Sequence, residues 1–160
     1  VIALLFLCAL PQVAVPCCIV MPPEFRLMQA KPSLAVPPRP IVGEVDVVQS
    51  IGAGDSCDGV SLIAIQVELV GLSEREVRRY GFFVRPLSGV HDKDLLPDFP
   101  LAAASFGGGK APIIWALNGI TPDPDGHMRW TLEVAPVSRS GATGTPLKVC
   151  VATDGSCPKP

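Results

Sequence analysis

The most regular alternation in the chain runs Arg129-Trp130-Thr131-Leu132-Glu133-Val134, in which Trp130, Leu132 and Val134 point one way and every residue between them is polar. A period of two with one apolar face is the pattern of a β-strand buried on one side and wet on the other. Ile63, Ile65, Val67 and Leu69 repeat it with Ala64, Gln66 and Glu68 between them, and the β-branched residues crowding this stretch predict a central strand. Weaker alternation predicts strands at Val45 to Val48, Phe82 to Arg85, Ile113 to Leu117 and Leu147 to Val151, and Leu101 to Phe106 reads as an edge strand. Turn chemistry separates them: Asp58-Gly59, Leu87-Ser88-Gly89, Asn118-Gly119, Asp125-Gly126, Ser140-Gly141 and Asp154-Gly155. Strands and turns so spaced predict an all-β fold, an antiparallel immunoglobulin-like β-sandwich of about six to seven strands.

One short helix is expected within it, over residues 74–80. Ser73 and Glu76 have the spacing of a capping box, and Leu72 and Val77 sit where a hydrophobic staple would. Arg78 and Arg79 suit the last turn, and Gly81 suits the end.

Ahead of the sandwich the pattern changes twice. Residues 1–20 carry no charge, and Val1 to Leu10 are uninterrupted apolar, which reads as the core of a secretory signal. Pro11 and Pro16 interrupt what would otherwise be a spanning helix, so membrane contact is expected only if this segment stays uncleaved. Residues 21–40 hold Pro22, Pro23, Pro32, Pro37, Pro38 and Pro40 and read as a semi-rigid spacer. The domain proper is then 41–160. Charge divides at the same boundary, the spacer carrying +2 and the domain -4.

The six cysteines stand at 8, 17, 18, 57, 150 and 157. Removal of the leader leaves Cys57, Cys150 and Cys157 as disulfide candidates, with three possible pairings. No C-x-x-C occurs, which removes a redox dithiol and a zinc knuckle.

Composition narrows the function. At 160 residues there is room for one domain, and a net charge of -2 lacks the basic footprint of a nucleic-acid binder. Eighteen Pro and fifteen Gly argue against a helical bundle. Gly52-Ala53-Gly54-Asp55-Ser56 resembles the signature of ribokinase-like sugar kinases, which implies Asp55 as a base beside an anion hole. Those five residues lead into Asp58-Gly59 and a strand, where that family continues into a helix. Gly108-Gly109-Lys110 is similar to a phosphate loop but is followed by Ala111 and Pro112, without the hydroxyl or the helix such a loop needs.

No complete catalytic constellation is present, and no cofactor is implied. His91, Asp92 and Asp94 stand in the pattern-poor stretch from 90 to 112 and mark the expected binding loop. Asp123 and Asp125 are the calcium candidates, although a Pro-Asp-Gly turn accounts for them without a metal. The expectation is therefore an exported, non-catalytic binding or structural module of the cell envelope or extracellular space, secreted or periplasmic, with a protein or glycan ligand. The alternatives are an extracytoplasmic hydrolase with its site in the 90–110 loop and a calcium-dependent adhesion module.

Overall fold

The computed structural model describes residues 23–28, 36–49, 60–90, 96–104, 112–118 and 122–156. Among these described residues, seven strands and one helix follow in the order β1 (Pro40–Gln49), β2 (Val60–Leu69), α1 (Glu74–Val77), β3 (Gly81–Ser88), β4 (Leu101–Ala102), β5 (Pro112–Asn118), β6 (Arg129–Val137) and β7 (Leu147–Ala152). They form two antiparallel sheets, one ordered β1-β2-β5 and the other β4-β3-β6-β7.

The alternation dictates which faces meet. Ile63, Ile65, Val67 and Leu69 of β2 are buried, and so are Trp130, Leu132 and Val134 of β6. Phe82 and Val84 from β3, Ile113 from β5, and Val149 and Val151 from β7 join them in one core between the sheets. Each aliphatic side chain sealed there contributes about 1.5 to 3 kcal/mol. The intervening residues face outward. On the second sheet Arg85, Glu133 and Lys148 are register partners across β3, β6 and β7, which sets unlike charges side by side.

Glycines shape the connections between strands. Gly126 takes φ 81 in the Asp125-Gly126 turn, a left-handed conformation that costs glycine nothing. Gly89 also takes φ 81, and a side chain there would collide with the Arg129 carbonyl.

Three local expectations need correction. The helix spans Glu74–Val77 rather than 74–80. Its capping box forms, with the Glu76 carboxylate accepting from the Ser73 backbone N–H at 2.8 Å and from its hydroxyl at 2.6 Å. After Arg78 the backbone bonds tighten, Arg79 donating to Glu76 and Tyr80 to Val77, so the helix ends after one turn. Gly81 does not end the helix; it opens β3, and its missing side chain makes room for the Phe25 ring. The edge strand expected over Leu101 to Phe106 is only Leu101–Ala102, with 105 and 106 outside the described residues.

Part of the proline-rich stretch lies on the sandwich. Glu24 bridges to Leu101; the Phe25 N–H donates to the Pro100 carbonyl at 2.7 Å, and the Ala102 N–H to the Pro23 carbonyl at 2.8 Å. The strap then crosses to the end of β6, where the Met28 N–H donates to the Arg139 carbonyl at 2.7 Å. Phe25 is buried, with the Arg139 guanidinium 5.5 Å above its ring.

Candidate functional site

Two surface features gather the chemistry that the described residues offer. The first is a polar cluster at the end of the sandwich where β6 begins. Asp123 folds its own loop: its Oδ1 accepts from the backbone N–H of Asp125 at 3.0 Å and of His127 at 2.9 Å. That leaves Oδ2 facing Arg129, whose Nη1 donates to it at 2.6 Å and to Asp125 Oδ2 at 3.0 Å. From the turn after β7, Asp154 Oδ2 accepts from Arg129 Nε at 2.9 Å and Nη2 at 2.8 Å, and Ser156 Oγ accepts from Nε at 2.9 Å. One guanidinium thus ties the β5–β6 loop to the turn that follows β7.

The electrostatics follow from that geometry. Hydrogen bonds from Arg129 and Ser156 hold the Asp154 carboxyl well below the usual carboxylate range. Asp123 is lowered chiefly by the His127 N–H, and Arg129 is raised chiefly by Asp154. The two calcium candidates are therefore brought together, and the cation they share is Arg129. Among the described residues no group of three or more His, Cys, Asp or Glu side chains is arranged to hold a metal ion.

The second feature is an apolar ridge between two shallow grooves. Ile41 at the start of β1 is the register partner of Glu68 on β2, and both face away from the core. Val70 follows β2, its N–H donating to the Arg39 carbonyl at 3.1 Å. Ile41 and Val70 are 47% and 54% exposed, large fractions for side chains of this kind. On one side lies a concavity of about 430 Å³ whose lining includes Gln66, Glu68, Leu72 and Glu74. On the other side lies one of about 470 Å³ lined by Arg39, Pro40, Leu147 and Lys148 together with the ridge itself. The ridge thus divides an acidic groove from a basic one. Glu74 is partly engaged by Arg78, 3.8 Å away on the helix.

The expected binding loop of His91, Asp92 and Asp94 lies outside the described residues, as do Cys57, Cys157, the Gly52 to Ser56 stretch and Gly108 to Lys110. Cys150 lies half-buried on β7 and is disulfide-bonded, with its partner outside the described residues. Sequence reasoning missed Ile41, Val70, Arg129 and Asp154. For Val70 a signal was available: it directly follows Leu69, the last residue of the alternating apolar face, and so falls off that face. Among the described residues no helix is long and apolar enough to cross a membrane. Comparison with protein-family models, with curated proteins and with solved structures returns no match.

Proposed function

We propose that the chain is an exported, non-catalytic module of immunoglobulin-like form, acting by binding or as a structural element of the cell envelope or extracellular space. The observation that carries this reading is the contrast between its two surface features. Among the described residues the two ionisable groups with large shifts, Arg129 and Asp154, are bonded to each other, and Arg129 also holds Asp123, whereas Ile41 and Val70 stand open to solvent between two grooves. Polar groups locked in that way supply charge balance rather than a free base or nucleophile.

Strand order supports the immunoglobulin-like form. Lettered in chain order, the sheets read A-B-E and D-C-F-G, which is the constant-type arrangement with D moved from beside E to beside C. The disulfide at Cys150 and the apolar run over 1–20 suit an oxidising destination. A protein ligand suits the surface better than a glycan. The exposed large hydrophobics among the described residues are Leu27, Met28, Val36, Ile41, Val70 and Leu87, without an aromatic face on which a sugar ring could stack.

The test follows the chain and its chemistry together. Expression in an exporting host should deliver the protein outside the cytoplasm, inert towards chromogenic ester, peptide and glycoside substrates. Retention in the cytoplasm, or hydrolysis abolished by alanine at His91, Asp92 and Asp94, would overturn the reading.

A further inference from the structure

We propose that the Ile41–Val70 ridge is the contact surface between two copies of this chain, related by a two-fold axis along the ridge. The inference rests on the module reading above and specifies what sits on the surface.

Charge complementarity selects the occupant. Arg39 and Lys148 are exposed on one flank of the ridge, and Glu68 is exposed on the other beside half-buried Glu74. With the two-fold axis lying along the ridge, the same patch meets itself and its flanks are exchanged. Ile41 and Val70 then pack on their own counterparts, while the basic flank of each copy meets the acidic flank of the other. The patch is self-complementary, and no like charges are opposed.

The backbone disfavours an added strand at this place. A peptide extending the sheet at β1 needs a row of free N–H groups, and Pro37, Pro38 and Pro40 supply none as the strand begins. Contact through side chains remains. The ridge is small beside a standard interface of roughly 800 Å² per partner, so the association is of the weak, concentration-dependent kind.

Sedimentation equilibrium on the full chain tests this, with two charge-altered variants. One is Arg39→Glu with Lys148→Glu; the other is Gln66→Lys with Glu68→Lys, which leaves Glu74 with Arg78 and the helix start. The wild type should show a species of twice the chain mass that weakens as salt rises. Each variant alone should associate at least roughly tenfold more weakly, about 1.4 kcal/mol. An equimolar mixture of the two should recover the paired species, because each altered flank then faces its opposite. A monomeric wild type, variants that pair as well as wild type, or a mixture of folded variants that stays monomeric would each overturn the proposal. None of those outcomes touches export or the absence of hydrolysis, so the module reading is judged separately.

Discussion

The Phe25 ring occupies the space that a side chain on Gly81 would fill. A residue of the proline-rich stretch and the first residue of β3 are thus a fitted pair, and Phe25 is 4% exposed as a result. Gly81→Ala must expel the ring or shift the strand, with an expected loss of about 2 to 4 kcal/mol, and Phe25→Ala should cost about 3 kcal/mol. Because both changes disturb one contact, the double variant should lose less than the two single losses together. Urea unfolding of the four proteins measures the coupling, and full additivity would contradict the contact.

Core position decides the cost of truncation elsewhere. Leu132 is 0% exposed and Leu87 46%. Leu132→Ala should therefore destabilise by about 2 to 5 kcal/mol and Leu87→Ala by no more than about 0.5 kcal/mol. Equal effects in thermal or denaturant unfolding would show that β6 does not face the shared core.

Acid should weaken the fold from a defined direction. Asp154, Asp123 and Glu76 are all lowered, by Arg129, by the His127 N–H and by Ser73 respectively. Groups lowered in the folded state contribute stability above their unfolded values near pH 4, and the contribution is lost as pH falls through the folded values. The melting midpoint should therefore decline with acidification below about pH 4, and Asp154→Asn should show a shallower decline. A variant whose acid profile superimposes on wild type would remove Asp154 from the effect.

Calcium should leave the protein unmoved. With Arg129 donating to Asp123, Asp125 and Asp154, a divalent ion would have to displace a guanidinium that already satisfies them. The melting midpoint is expected to be the same in excess calcium and in excess chelator. A calcium-dependent rise would restore the adhesion-module alternative.

Reduction should reveal which cysteine Cys150 holds. A bridge to Cys157 closes a loop of about 7 residues and is worth about 2.5 kcal/mol in the chain-entropy account, whereas one to Cys57 closes about 93 residues and is worth about 4.7 kcal/mol. Val149 and Val151 face the core, so Cys150 points from the opposite face of β7, away from the sheet that β1 and β2 build. The smaller loss on reduction is expected, with a Cys150–Cys157 peptide pair in a non-reducing digest. Labelling of Cys150 before any reductant is added would contradict a bridge of either kind.

The period-two stretches were legible because alternation is local: Trp130, Leu132 and Val134 are buried as their spacing requires, and β2 follows the same rule. Ser73 and Glu76 were legible for the same reason, being three residues apart. What escaped is what distance along the chain conceals. Arg129 and Asp154 are 25 positions apart, and nothing in either neighbourhood announces the other. Phe25 is a single aromatic among prolines, without periodicity to mark it as core. The sequence overstates the length of the helix because arginines at 78 and 79 suit a last helical turn and suit equally well the tighter turn that stands there.

The strap across β3, β4 and β6 also sets how far the chain can be shortened ahead of β1 before the fold itself is damaged. A cut that spares the sandwich has to lie ahead of Pro23, because that residue's carbonyl receives the Ala102 N–H and the next two residues cover the rim of β4. Removing three residues more would not tidy a ragged end; it would take away Phe25, uncork that edge of the two-sheet interior and admit water beside Gly81.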